Sequence, residues 1–216
     1  MLTFVDHRGT STPLALPSRR YADPRLSPEG RRVAVHIVEE GRENFVIDLD
    51  RGTLMRLTAD PGEDETPIWT PDGKWVVYTS TRADHARAIF RRMADGSSGE
   101  ELLWSGTGHV HLGGFTPDGR MLVLAVMEDS NANLATLSVG DKELRPLVID
   151  QFNKTEPALS PDGRWLAYVS DETGRPGVYV QAFPNPGARY PMSANRGREP
   201  VWSRDGRQLF YRGADG

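Results

Sequence analysis

Short runs of apolar, β-branched and aromatic residues alternate with polar turns along the whole chain, and no segment repeats its apolar positions with the 3.6-residue period of a helix. Runs such as "WVVYTS" and "WLAYVS" are nearly continuous in apolar residues, a pattern that suits strands covered on both faces. Each run follows a turn glycine inside a recurring sentence. The copies are "DPRLSPEGRRVAV" at Gly30, "TPIWTPDGKWVVY" at Gly73, "LGGFTPDGRMLVL" at Gly119, "EPALSPDGRWLAY" at Gly163 and "EPVWSRDGRQLFY" at Gly206. The glycines stand 43, 46, 44 and 43 residues apart. A period of this size predicts an all-β propeller with four antiparallel strands per blade.

The sentence has a mechanical reading. Pro161 pre-sets the first central φ of a type I turn, Asp162 suits the second, and Gly163 takes the positive φ that closes a short hairpin. Glu29 in place of Asp, and Arg204 in place of Pro, keep the glycine. Strand A precedes each turn and strand B follows it. Segments such as "NFVIDLDRGTLMRLT" and "GVYVQAFPNPGARYPMS" supply C and D. Blades are expected at about 22–64, 65–110, 111–154 and 155–197. The opening "LTFVDHRGTSTPLAL" reads as C and D, and the closing "EPVWSRDGRQLFYRG" as A and B. Residues 198–216 with 1–20 would therefore make a composite fifth blade, closing a single domain and covering exposed edges. The alternative is a fragment of a six- to eight-bladed ring.

Composition narrows the function. The 216 residues carry a net charge of −4, which argues against nucleic acid as a partner. The absence of cysteine excludes disulfides, thiolate zinc sites and a cysteine nucleophile. No run reaches the length of a membrane span.

Candidate chemistry is sparse. The repeated turn Asp reads as a turn residue. His109 and His111 are two apart and would share a strand face, but two imidazoles make half a metal site, so no metal or cofactor is expected. Glu63, Asp64 and Glu65 in "DPGEDET" read as a solvated loop without calcium-loop spacing. Neither "WSGTG" nor "DGSSGE" fits the nucleophile elbow of a serine hydrolase, and the phosphate-loop and dinucleotide fingerprints are missing. One set of residues suggests a binding site. Seven or eight positions before the turn glycines stand Asp23, Glu65, His111, Glu156 and Glu199. They would converge at the mouth of the central channel, and four acids there would attract a cation or a basic peptide.

The "SPDGRWLAYVS" repeats resemble those of TolB and related WD-like bacterial propellers. The stretch from "EPALSPDGRWLAY" to "WSRDGRQLFYR" is similar to the propeller region C-terminal to bacterial serine/threonine protein kinase domains. The resemblance implies a non-catalytic, extracytoplasmic scaffold that binds a protein, peptide or other ligand. A second reading makes the chain the substrate-gating propeller of a prolyl-oligopeptidase-like serine peptidase.

Overall fold

The computed structural model describes residues 1–213 apart from His7, Glu40, Asp60, Pro61, Ala83, Asp84, Asp129 and Ser130. The side chains of His85 and Ala86 are likewise outside the description. The described residues form twenty strands and no helix. The chain divides into two compact units, Met1–Leu102 and Leu103–Gly216.

The first unit opens with a separate hairpin of β1 (Thr3–Val5) and β2 (Ser11–Pro13). One blade follows: β3 (Tyr21–Leu26), β4 (Arg32–Val38), β5 (Arg42–Asp48) and β6 (Thr53–Arg56). The next contains β7 (Glu63–Trp69), β8 (Trp75–Arg82) and β9 (His85–Met93), paired with β10 (Glu101–Gly106), whose residues from Leu103 onward belong to the second unit. A single parallel bridge, Arg42 to Glu63, joins β5 to β7. The pairings β3–β4, β4–β5, β5–β6, β7–β8 and β8–β9 are antiparallel.

The second unit holds a blade of β11 (His109–Phe115), β12 (Met121–Glu128), β13 (Asn131–Ser138) and β14 (Leu144–Val148). Another contains β15 (Lys154–Leu159), β16 (Trp165–Ser170), β17 (Gly177–Ala182) and β18 (Tyr190–Pro191). A final hairpin pairs β19 (Arg198–Trp202) with β20 (Leu209–Arg212).

The apolar runs are covered on both faces, as their lack of alternation predicts. In β4, Val33, Val35 and Ile37 join Phe45 and Ile47 in one core, against which Leu2, Leu16 and Tyr21 pack. Ala34, between them, faces a second core with Val46, Trp69, Val76, Tyr78 and Phe90. In the second unit, Val123, Ala125 and Leu134 of one blade meet Leu166, Tyr168 and Tyr179 of the next. Stacking of adjacent sheets therefore buries what a lone sheet would leave wet.

The repeated sentence holds both its own hairpin and the next blade. Each turn glycine donates its N–H to the carbonyl three residues back, as a β-turn requires, at 2.8–2.9 Å. The preceding Ser or Thr oxygen accepts the N–H five residues on, in all five copies, at 2.9–3.1 Å. Thr70, Thr116, Ser160 and Ser203 each also donate to the turn Asp at 2.6 Å.

The turns then stack on one another. A Cβ added to Gly163 would stand 2.6 Å from Pro117 Cδ of the preceding turn. One at Gly206 would reach Pro161 Cδ at 3.6 Å. The turn proline thus supports the following blade's glycine. Trp69 Nε1 donates to the Arg25 carbonyl at 2.9 Å, and Trp202 Nε1 repeats the bond to Ala158 at 3.0 Å. In the first copy, where Glu replaces Asp, Glu29 instead accepts from Arg32 Nε at 2.7 Å. Arg32 in turn reaches the Gly73 carbonyl at 2.8 Å and lies over the Trp69 ring.

Candidate functional site

Every A strand breaks its ladder at the same place. The register slips between Ala22 and Arg25, Glu65 and Ile68, Leu112 and Gly114, Thr155 and Ala158, and Arg198 and Val201. These are β-bulges, which leave a residue unpaired and turn its side chain. In four of them a non-glycine residue adopts positive φ: Asp23 at 47°, Thr66 at 49°, Glu156 at 51° and Glu199 at 57°. Each precedes a proline, which has no N–H to offer the ladder and is tolerated at a bulge. Such conformations cost on the order of 1–3 kcal/mol and persist only where surrounding structure enforces them.

The five residues singled out from the repeats fall into two classes. Asp23, Glu156 and Glu199 occupy the strained bulge position. Glu65 and His111 stand one residue earlier, within the regular ladder opposite Thr79 and Ala125. Glu156 and Glu199 are brought together: Glu156 accepts the Glu199 N–H at 2.6 Å and Arg198 Nη1 at 3.0 Å. Glu199 pairs with Arg212 Nη2 at 2.7 Å. In the first unit, Glu65 pairs with Arg42, and Asp23 Oδ2 lies 3.3 Å from the buried His36 Nδ1. His111 is exposed on β11, on the same face as His109. Glu65, Glu156 and Glu199 are thus each met by an arginine, and Asp23 stands beside the His36 imidazole, so these acids are not bare.

The "DPGEDET" acids do not form the expected loop. Glu63, Asp64 and Glu65 are the first residues of β7, and strand alternation turns Asp64 inward while its neighbours turn out. Asp64 is fully buried, with Arg82 Nη2 at 3.7 Å. Burial raises its carboxyl above the usual range, a rise that the Ser80 and Thr58 hydroxyls and the Arg82 guanidinium only partly oppose.

Nine residues before Gly163, at the repeat position of Asp64, stands Lys154, which is also fully buried. Its ammonium pairs with Asp150 and donates to the Phe152 carbonyl at 2.9 Å. Arg189 bridges Asp150 at 2.7 Å and Glu172 at 2.9 Å. Burial alone would raise Asp150, but hydrogen bonds from Lys154, the Phe152 N–H and Arg189 outweigh it and hold its carboxyl at about 2. The charges are reversed between the two blades. Asp64 and Arg82 flank Gly73 at the positions where Lys154 and Glu172 flank Gly163. A sequence signal for this existed: the equivalent positions elsewhere are Tyr21, Val110 and Gly197, so a charge there is out of pattern.

The turn carboxylates are occupied structurally. The Thr70, Thr116, Ser160 and Ser203 hydroxyls, then backbone N–H groups, hold Asp72, Asp118, Asp162 and Asp205 below the ordinary carboxylate range. Among the described residues no cluster of three or more His, Cys, Asp or Glu could hold a metal ion. Among the described residues there is no helix long and apolar enough to cross a membrane.

Four-stranded antiparallel blades, stacked turn upon turn, define a β-propeller whose repeated side chains bind the scaffold together. The chain belongs to the PD40 family, the TolB beta propeller domain, whose model matches residues 15–112 and 107–216. It is 28% identical over 167 residues to the uncharacterized peptidase YuxL of Bacillus subtilis, covering 76% of this chain and 24% of that protein. Its identity to the Tol-Pal system protein TolB of Helicobacter pylori is 22% over 151 residues, covering 67% of this chain and 35% of that one. The crystal structure of TolB from Acinetobacter baumannii superposes with a TM-score of 0.70 at 21% identity, covering 92% of this chain and 48% of that one. The chain thus spans about a quarter to a third of the length of these two curated relatives.

Proposed function

We propose that this chain is a non-catalytic binding module that presents blade-specific side chains on a rigid frame to a protein or peptide partner. One observation carries the reading. The residues repeated in every blade are engaged in turns and blade contacts, whereas the strained bulges carry Asp23, Thr66, Glu156 and Glu199, alike in two blades and different in the others. Function placed on variable positions of a fixed scaffold is the usual arrangement. The paired band of Glu156, Arg198, Glu199 and Arg212 offers charges of both signs, which favour register and specificity in a polar partner. The blade count predicted from the repeats, an extracytoplasmic location and attachment to a kinase belong to the same proposal.

The test uses the purified chain and its Glu156→Gln/Glu199→Gln variant as paired baits in cell extract, read by quantitative mass spectrometry. A partner retained by the chain and depleted about fivefold or more with the variant supports the reading. Equal retention on both removes the bulge band from it. Turnover of a peptide, ester or oligosaccharide panel by the chain alone would contradict a non-catalytic role.

The likeness to the peptidase YuxL favours a second reading, in which the propeller gates substrate for a hydrolase domain. A G-x-S-x-G nucleophile elbow downstream in the parent reading frame decides for it, and a kinase domain upstream decides against it.

A further inference from the structure

Two hairpins of the fold are half-blades, and each exposes apolar surface that the whole blades bury. Phe210 of β20 stands four residues after its turn glycine and is 57% exposed. Its counterparts in the four whole blades, Ala34, Val77, Val123 and Ala167, are each 0% exposed. Those residues lie on second strands that a third strand pairs along the free edge. β20 pairs with β19 alone, so its other edge presents unpaired N–H and C=O groups to any strand that fits.

The β1–β2 hairpin is the complementary half. Asp6 Oδ1 accepts the Arg8 and Thr10 N–H groups and its carbonyl accepts that of Gly9. Asp48 does the same for Asp50, Arg51 and Gly52 at the β5–β6 turn. The match makes β1 a third strand, with Phe4 and Val5 at the positions of Val46 and Ile47. Leu2, two residues before Phe4, packs on the β4 core as a preceding blade would. Phe4 and Val5 are nevertheless exposed, and Leu26 is 47% exposed where its counterpart Trp69, bonded to the blade before it, is 8%.

We propose that these half-blades join two copies of the chain: β20 of one copy pairs antiparallel with β1 of another, completing a blade in the order β19, β20, β1, β2. Transferring the β4–β5 register, in which Ala34 opposes Val46, sets Phe210 opposite Phe4 and Leu209 opposite Val5. An aromatic pair directly across two strands strengthens such a ladder, and the added strand supplies the main-chain hydrogen bonds. Phe210 and its own partner Val201 then face Leu26 of the second copy. The β15–β16 pair faces Trp202 in the same way, through the bond to the Ala158 carbonyl. The occupant is a second copy because every chain carries one half of each kind, in two separate two-stranded sheets. The surfaces joined are different, so the size of the assembly is set by how the copies close on one another.

The test mixes two single variants of the full chain, Phe4→Cys and Phe210→Cys, in a sequence otherwise free of cysteine. Directly opposed residues of antiparallel strands stand about 4.5–5.5 Å apart, within disulfide reach. Oxidation should link the two different variants at least about tenfold more than either links to itself. Sedimentation velocity of the unaltered chain should show species larger than a single copy, their share rising with concentration up to about 100 µM. Phe210→Asp on one side and Leu26→Asp on the other should each abolish those species while the β circular dichroism signal is kept, since both positions are exposed. A single copy at every concentration, or equal linking of a variant to itself, overturns the proposal. So does a Phe4→Cys/Phe210→Cys double variant that closes its disulfide within one chain, which would assign the composite blade to a single copy.

Discussion

At the scale of single residues, the turn carboxylates make acid stability a readout of the repeat. Asp72, Asp118, Asp162 and Asp205 have folded pKa values below their ordinary value because Ser or Thr hydroxyls and backbone N–H groups favour the charged form. Asp150 is held at about 2. A depressed folded pKa contributes stability that is fully present above the unfolded value, near 4, and is lost as pH falls through the folded value. Urea midpoints measured from pH 5 down to pH 2 should therefore fall steadily, and replacing the four turn aspartates by asparagine should flatten that fall. A slope unchanged by the four substitutions would show that the turns hold no differential charge. This chemistry was legible in the sequence, because proline, aspartate and glycine act on their own backbone and immediate neighbours. The bulge residues were not, because "EP" reads as an extended dipeptide until the partner strand shows two residues opposing one.

Between elements, the buried charges illustrate how pairing decides the cost of a substitution. Lys154 is fully buried and neutralised chiefly by Asp150, whereas Asp150 is partly exposed and also holds Arg189. Asp150→Asn strands a buried ammonium and should cost about 3–5 kcal/mol. Lys154→Met leaves the carboxylate with Arg189 and some water, and should cost clearly less, about 2 kcal/mol. Denaturant unfolding of both variants checks the ranking, and the reverse order would contradict this assignment of the pair. The sequence concealed the network: Asp150 lies only four residues before Lys154, but Arg189 and Glu172 come from two hairpin connections of the same blade, and strand pairing is what brings them beside Asp150. Asp64 was concealed differently: three adjacent acids look solvated until strand alternation sends the middle one inward. The apolar strands themselves were legible, because burial on both faces removes alternation and leaves a continuous run.

For the whole molecule, the account holds that the recurring sentence is an interlock between blades as well as a turn within each. Blade period and strand number could be read from the spacing of the glycines. The contact of one copy's proline with the next copy's glycine could not, because nothing local distinguishes a solvated turn from a stacked one. Two glycines of the second unit separate these roles. Gly163 and Gly174 both close turns at positive φ, 69° and 77°. A Cβ at Gly163 would press on Pro117 at 2.6 Å, while one at Gly174 would meet nothing within 4 Å. Conformational strain is shared by the two alanine variants, so their difference in unfolding free energy isolates the contact between blades. The account predicts that Gly163→Ala is more destabilising than Gly174→Ala by about 1 kcal/mol or more; equal losses would contradict it.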